Sequence, residues 1–185
     1  MNTIVLKTII MTTSLVKCIA IGGVPATGKT TLVKEILKRY TYRNFKFGLL
    51  RGHFIDKLNL VVMGIYSESV FSGTDKLSMA VNKDFIKYVL LKKRNILFEG
   101  DRLFSLNNLE LIKKHYKTHI ILLENDSSVL NLRHKERNDK QSEKFIKGRY
   151  TKIKNITEHF KDKSIYSLKN TEDTINLANT IIEFL

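Results

Sequence analysis

The sequence predicts an α/β fold in three layers, with a parallel sheet between two layers of helices. Two patterns lead to this prediction. Short apolar runs alternate along the chain with amphipathic stretches of ten or more residues, which is typical of parallel strands joined by helical crossovers. The apolar runs are continuous rather than alternating, as expected for strands that are buried on both faces.

We expect six strands and six helices. The predicted strands are residues 16–21, 45–50, 58–66, 95–99, 119–123 and 165–168, of which 58–66 is either a strand or a hairpin partner. The predicted helices are residues 30–40, 77–93, 103–116, 127–139, 143–160 and 171–184. A loop over residues 67–75 contains Gly73.

Residue spacing supports these assignments in turn. The first strand ends in Gly22-Gly23, and the strand 95–99 is stopped by Gly100. Apolar residues recur at helical spacing in the first helix, at Leu32, Val33, Ile36 and Leu37. They do so again in the second helix, where one face carries Leu77, Val81, Phe85, Val89 and Leu90.

Length and composition limit the classes of protein to consider. The 185 residues suit one domain, which we place at 15–185, with residues 1–14 as an N-terminal extension. The single cysteine, Cys18, excludes an intramolecular disulfide and fits a reducing cytoplasm. No apolar run approaches the roughly 18 residues of a membrane span, and the N-terminus has no basic start typical of an export signal.

The chain is strongly basic, with 32 Lys and Arg against 18 Asp and Glu and a net charge of +14. Such an excess favours a polyanionic partner, most simply DNA. The alternative is a composition bias, because the chain is rich in Lys, Asn and Ile and has one Pro and no Trp.

A glycine-rich segment matches the phosphate-binding pattern Gly-x4-Gly-Lys-Thr in full. Its residues are Gly23, Val24, Pro25, Ala26, Thr27, Gly28, Lys29 and Thr30, followed by Thr31. It lies between a predicted strand and a predicted helix, which is the context that the pattern requires. We therefore predict a P-loop that binds ATP with Mg²⁺. Lys29 would reach the β- and γ-phosphates, Thr30 would ligate Mg²⁺, and Thr31 would help to hold the α-phosphate.

A second candidate feature is the acidic end of the strand 95–99. Glu99 directly ends the apolar run and Asp101 follows two residues later. An acid at this strand end faces the phosphate site and can hold Mg²⁺. We expect one of the two to do so, with Glu99 grouped with Thr30 as the metal site, and the sequence does not separate their roles. The absence of an Asn-Lys-x-Asp string argues against a GTPase.

A third feature is a basic helical region after the fifth predicted strand. Arg133 and Arg137 are four residues apart and share a helix face, followed by Lys140, Lys144, Lys147 and Arg149. We predict a helical lid whose two arginines stabilise the transferring phosphoryl group. The alternative is an ordinary solvated basic helix. With this lid, the fold class becomes a three-layer P-loop NTPase fold.

The acceptor side is expected between the second strand and Glu99. Asp56 or Asp75 would accept the proton of the acceptor hydroxyl, and Tyr66 or Phe71 would stack on a base. Each of these residues, together with Arg51, His53 and the Gly73–Lys76 stretch, has an alternative interpretation as a loop or core residue. The five histidines lack metal-binding spacing.

From about Lys17 onward the chain resembles small P-loop kinases related to nucleotide kinases, through the residues 23–31, 98–102 and the Arg133/Arg137 pair. Three strings are also similar to bacteriophage kinases that phosphorylate the hydroxymethyl group of 5-hydroxymethyluracil in DNA. These strings are 71–79 (FSGTDKLSM), 98–104 (FEGDRLF) and 147–152 (KGRYTK). The resemblance implies phosphate and metal roles for Lys29 and Thr30, an acidic site at Glu99 and Asp101, and an acceptor loop containing Asp75. Ala26 departs from the glycine that many relatives carry.

The sequence therefore predicts a kinase, a phosphotransferase that uses MgATP. The favoured acceptor is a hydroxymethylated pyrimidine in double-stranded phage DNA, which would place the protein in the host cytoplasm. A kinase of a free nucleotide, nucleoside or small metabolite is the first alternative. The second is a P-loop ATPase that binds nucleic acid without phosphorylating it. No pattern in the sequence indicates an oligomeric state.

Overall fold

The structure is a computed structural model, and it describes residues 15–67, 72–136 and 142–185. Four expectations concern residues outside these ranges: the extension 1–14, the stacking role of Phe71, the lid role of Arg137, and the basic side chain of Lys140. Within these ranges the chain forms an α/β structure with seven strands and six helices, besides three short 3-10 turns.

The secondary structure follows the predicted order with shifted ends. The strands are β1 (Lys17–Gly22), β2 (Arg43–Phe47), β3 (Leu50–Ile55), β4 (Leu60–Met63), β5 (Asn95–Glu99), β6 (Lys117–Glu124) and β7 (Lys163–Ser167). The helices are α1 (Lys29–Leu37), α2 (Asn82–Leu91), α3 (Leu106–Lys113), α4 (Ser127–Glu136), α5 (Glu143–His159) and α6 (Thr171–Phe184). The predicted strand 95–99 and the predicted helix 171–184 are confirmed at both ends.

The sheet is mostly parallel, and its strand order is β2-β3-β4-β5-β1-β6-β7. The five strands from β4 to β7 in that order run parallel, while β2 and β3 extend one edge as an antiparallel hairpin. The prediction of one strand at 45–50 was wrong, and the predicted parallel sheet is parallel except at this hairpin. Gly48, with φ 58°, and Leu49 form a two-residue turn inside that segment, and the chain reverses there.

Two apolar cores separate the three layers. Along β1, Cys18 and Ala20 face one core, and Ile19 and Ile21 face the other. The first core packs against α2, α3 and α5, and the second packs against α1 and α6. This arrangement confirms that helices cover both faces of the sheet. None of the helices in the described ranges combines the length and the hydropathy that crossing a bilayer requires.

Two helices begin later than predicted. The chain from 77 forms a 3-10 turn at Met79–Val81 before α2 begins, because the Ser78 hydroxyl accepts a hydrogen bond from the Ala80 amide (3.2 Å). Similarly, α3 begins at Leu106 because Ser105 caps it. The expected inward position of Leu90 was also wrong. Leu90 is 48% exposed, and Tyr88 is buried in its place.

Two half-buried histidines should make the free energy of unfolding depend on pH. Burial lowers the pKa of His53 and of His119 below the ordinary value. The unfolded chain therefore binds more protons than the folded chain below about pH 6.5. We expect the free energy of unfolding to be fully retained above that pH and to fall as the pH decreases towards 5.

Urea unfolding at pH 5, 6 and 7 measures this effect. The double variant His53→Phe/His119→Gln should flatten the dependence on pH over this range. If the free energy of unfolding of that variant still depends on pH as it does in the parent protein, titratable groups other than these histidines cause the dependence.

Candidate functional site

The glycine-rich loop 23–28 joins β1 to α1 at the carboxyl edge of the parallel strands. Gly23 and Gly28 have positive φ angles of 142° and 98°, and a Cβ atom at Gly23 would lie 2.4 Å from the carbonyl oxygen of Leu123. Both positions therefore favour glycine. Gly28 caps α1, so the loop presents the first, unpaired amides of a helix. Such an end attracts anions, phosphates above all.

Ala26 also lies in the left-handed region, at φ 66°, and its side chain is buried. A residue with a Cβ atom is strained in this conformation by about 1–2 kcal/mol. The departure from glycine at this position therefore has a structural cost, which the sequence comparison alone did not reveal.

The side chain of Lys29 folds back over the loop that precedes it. Its Nζ donates hydrogen bonds to the carbonyl oxygens of Gly23 (2.8 Å) and Val24 (2.7 Å), and to the Thr27 hydroxyl (3.3 Å). Thr27 is fully buried, and its own hydroxyl donates to Val24 O (2.9 Å). The ammonium group is thereby placed within the curve of the loop.

Thr30 and Glu99 meet at the end of β5. The Thr30 hydroxyl donates to Glu99 Oε1 across 3.1 Å, and Glu99 is only 3% exposed. The carboxylate lies against Gly73, where a Cβ atom would come within 2.0 Å of Oε1. Thr74 fixes the strand end, since its hydroxyl donates to the Glu99 carbonyl oxygen (2.5 Å).

This pair of oxygen ligands fits Mg²⁺. Magnesium prefers hard oxygen donors and usually takes one or two carboxylates, with substrate phosphates and water completing its shell. Among the residues that the structure describes, there is no group of three or more His, Cys, Asp or Glu side chains that could hold a metal. The residues that would hold magnesium here are Thr30, through its hydroxyl, and Glu99, through its carboxylate.

Asp101 has different surroundings from Glu99. Its carboxylate forms ion pairs with Arg149 and with Lys152 (2.7 Å), and the Lys152 ammonium also donates to the Asp101 carbonyl oxygen (2.9 Å). Both cations belong to α5, so Asp101 ties the end of β5 to that helix. The two acids are two residues apart in sequence, but only Glu99 contacts Thr30 through a described hydrogen bond.

Asp75 comes close to the same strand end. Its carboxylate oxygens would lie 3.7 and 3.9 Å from a Cβ atom at Gly100. Burial, together with the negative charges of Glu99 and Asp75, raises the pKa of the Tyr66 hydroxyl well above its usual value. The Tyr66 hydroxyl therefore stays protonated at neutral pH, and its ring lies beside Gly73 and the Glu99 carboxylate. Arg102 holds this segment through a hydrogen bond to Asp75 O (3.2 Å).

Asp56, the other candidate for the proton acceptor, lies away from this cluster. It follows β3, which runs antiparallel to β4 and so ends at the opposite edge of the sheet from the loop 23–28. Its carboxylate pairs with Arg43 (3.0 Å) in an exposed position. The expectation that Asp56 serves the site is not supported, because the hairpin reversed the direction of the chain.

Arg133 reaches the site from α4. Its guanidinium donates to the carbonyl oxygens of Ala26 (3.2 Å) and Leu168 (2.7 Å), and one nitrogen would lie 4.0 Å from a Cβ atom at Gly28. It therefore contacts the backbone of the glycine-rich loop. Because Arg137 lies outside the described residues, the proposed pairing of the two arginines in a lid stays a prediction.

Sequence reasoning missed three supporting residues. Thr74, Lys152 and Phe104 occur in the strings 71–79, 147–152 and 98–104, but no individual role was predicted for any of them. A Cβ atom at Gly22 would lie 2.2 Å from the Phe104 ring, so this close approach explains why glycine stands directly before the loop 23–28. The Gly22-Gly23 doublet was the available signal.

Comparisons with known proteins find similarity to this chain among solved structures only. Neither the protein-family models nor the curated protein sequences include a match to the chain. A solved chain of the Pnkp1/Rnl/Hen1 RNA repair complex is similar over 87% of this chain, with a TM-score of 0.50 and 16% identity. This chain covers 51% of that one, about half its length. The structure of APE1195 is similar over 92% of this chain and 96% of its own, with a TM-score of 0.45 and 12% identity. At 16% identity the first similarity concerns the fold alone.

Proposed function

We propose that the chain is a kinase that transfers the γ-phosphate of ATP to a hydroxyl group of nucleic acid. The observation that carries this proposal is the contact of Thr30 with the buried Glu99 carboxylate, beside the loop that Lys29 folds over. A phosphate-binding loop and a magnesium site at adjacent strand ends are what phosphoryl transfer from a nucleoside triphosphate requires.

The triphosphate would lie along the loop 23–28 and the start of α1. Backbone amides at the helix end and the helix dipole favour its negative charge. Lys29 would exchange its carbonyl partners for oxygens of the β- and γ-phosphates, and Thr31 would contact the α-phosphate. Magnesium, held by Thr30 and Glu99, would neutralise charge on the phosphate oxygens.

The transfer step follows from this placement. The acceptor oxygen forms a bond to the γ-phosphorus as the bond from that phosphorus to the oxygen bridging to the β-phosphate breaks, and ADP leaves. The hydroxyl proton passes to the carboxylate of Asp75, whose oxygens lie near Gly100 at the end of β5. Arg133, with Arg137, would stabilise the charge that spreads over the equatorial oxygens, and Asp101 would fix the strand end through α5.

Three observations support nucleic acid as the acceptor. The net charge of +14 favours a polyanion. The strings at 71–79, 98–104 and 147–152 resemble kinases of 5-hydroxymethyluracil in DNA. The similar chain of the RNA repair complex belongs to an assembly that acts on nucleic acid. The specific proposal is the hydroxymethyl group of a 5-hydroxymethylpyrimidine in phage DNA, extruded from the base stack to reach the site.

Transfer of label from γ-labelled ATP tests the acceptor. The panel contains duplex DNA with 5-hydroxymethyluracil, the same duplex with thymine, an RNA strand, and free nucleosides and nucleotides, each at low and moderate salt. Label only on the hydroxymethylated duplex supports the specific proposal. Label on thymine DNA or RNA would support a nucleic acid kinase but contradict the hydroxymethyl group as its acceptor. Label only on free nucleosides or nucleotides overturns nucleic acid as the acceptor.

A prediction about binding concerns α5. This helix begins at the carboxyl edge of the sheet, where Lys144 and Lys147 are exposed. If these lysines contact phosphates, the variant Lys144→Gln/Lys147→Gln should bind duplex DNA more weakly. The slope of log K against log salt should also become shallower by about 2, at roughly 0.9 per phosphate contact.

The matched control is Lys93→Gln/Lys114→Gln. Both of these lysines are exposed and precede β5 and β6, so they lie at the opposite edge of the sheet. The control should keep the slope of the parent protein. If the slope of log K against log salt is the same for the two double variants, α5 does not contact the DNA through these lysines.

A further inference from the structure

A cavity of about 270 Å³ lies on the α1 side of the sheet, outside the residues assigned above to phosphate and metal. Its wall is formed by the second half of α1, the link from α1 to β2, and the segment after β4. The lining side chains that carry the argument are Lys34, Lys38, Tyr40, Tyr42 and Tyr66. Among the residues that the structure describes, the lining contains three tyrosines and two lysines and no carboxylate.

The cations of this cavity continue a row that begins at the candidate magnesium site. Thr30, Lys34 and Lys38 are spaced by four residues, so they share one face of the helical segment. At 1.5 Å per residue, the lysines lie about 6 and 12 Å beyond Thr30. Lys38 is 76% exposed and its contact with Glu35 is 4.0 Å, so that pairing holds it only weakly.

The aromatic rings form a second row in the same place. Tyr42 is 48% exposed and lies 4.6 Å from the His53 ring, which lies 6.0 Å from the Tyr66 ring. Tyr40 contributes a further ring, with the Lys57 ammonium 6.0 Å from its centre. The rings thus run from the exposed rim of the cavity to Tyr66, whose ring lies beside Gly73 and the Glu99 carboxylate.

Rings next to cations fit a particular kind of ligand. Nucleobases stack on aromatic side chains whatever their identity, and lysines hold the phosphates between them. The two lysines of the described lining would attract the phosphates of such a ligand. Its inner end at Tyr66 meets the place where the acceptor hydroxyl would react, so a strand that reacts at Asp75 would pass through it.

We propose that this cavity binds the nucleotide next to the reacting one in the acceptor strand. The base would lie against Tyr42 and Tyr40, and the phosphate against Lys34 and Lys38. This inference rests on the proposed function and narrows it, because it makes the acceptor a polynucleotide strand rather than a free nucleoside or nucleotide.

Equilibrium binding tests the inference without relying on transfer. Fluorescence anisotropy gives the Kd of a labelled oligonucleotide of about ten residues for the parent chain, Tyr42→Ala, Lys34→Gln/Lys38→Gln, and the control Lys93→Gln/Lys114→Gln. Binding of MgATP is measured on the same proteins. We expect both cavity variants to raise the oligonucleotide Kd about tenfold or more, the usual size of a lost stacking or phosphate contact. The control and the MgATP affinity should change less than twofold.

Three results would overturn the inference. The first is an unchanged oligonucleotide Kd in both cavity variants. The second is competition by a free mononucleotide at the same concentration as the oligonucleotide. The third is an equal weakening of MgATP binding, which would indicate general damage to α1. If any of these results is obtained while the parent chain still transfers the γ-label of ATP to an acceptor, the protein remains a kinase and only the inference about the cavity is wrong. Absence of transfer with every acceptor would count against the proposed function instead.

Discussion

Replacement of Lys29 by alanine should lower the rate of phosphoryl transfer by about 10²–10⁴-fold, the scale of losing one fixed positive contact in such a transition state. The ammonium already lies within the curve of the loop, 2.8 and 2.7 Å from two of its carbonyl oxygens. It is therefore positioned to follow the charge that builds up on the phosphate oxygens. The measurement is single-turnover transfer from γ-labelled ATP.

The fold should survive this replacement. Lys29 is partly exposed at the start of α1, and its contacts are with the loop rather than with either apolar core. The circular dichroism spectrum and the urea midpoint of Lys29→Ala should match those of the parent chain. Turnover at the parent rate in a folded Lys29→Ala protein would contradict the assignment of the phosphate site.

Replacement of Glu99 by glutamine should have an effect of similar size, about 10²–10³-fold on transfer, with a higher magnesium concentration needed for half-maximal rate. The amide keeps the shape of the side chain but removes the charge that would hold the metal with Thr30. A magnesium titration of the transfer rate measures both changes.

Asp101→Asn is the matched control, because it makes the same chemical change two residues away. Asp101 is bound to Arg149 and Lys152 of α5. Its replacement should mainly loosen that helix and lower the urea midpoint, while the magnesium requirement stays near that of the parent. If instead only Asp101→Asn changes the magnesium requirement, Asp101 rather than Glu99 holds the metal.

Much of the fold could be predicted because buried parallel strands have a plain sequence pattern. The strand 95–99 contains the apolar run 96–98 between Asn95 and Glu99 and is followed by Gly100. The helix at 171–184 has a capping box at Asn170 and Asp173. The hairpin β2–β3 could not be predicted in the same way. Its strands lie at the sheet edge with mixed exposure, and Gly48-Leu49, with glycine at the first turn position only, is a weaker hairpin signal than Asn-Gly or Asp-Gly.

The candidate site was predictable where residues are adjacent in sequence and not where the fold brings distant segments together. The spacing of Gly23, Gly28 and Lys29 predicts the loop by itself. Glu99 and Asp101 differ in their partners, which are distant in sequence. Thr30, which contacts Glu99, lies 69 residues before it, and Lys152, which pairs with Asp101, lies 51 residues after it. Likewise, only the direction of β3 separates Asp56 from Asp75.

The central claim is that the glycine-rich loop binds a triphosphate whose γ-phosphate is passed to nucleic acid. A single reaction with ATP labelled differently at the α- and γ-positions, magnesium and hydroxymethylated duplex DNA tests it most directly. The account predicts that the γ-label becomes attached to the DNA while the α-label appears as ADP in equal amount, and that neither happens with Lys29→Ala. Appearance of the γ-label only as inorganic phosphate, or release of no ADP at all, would contradict it.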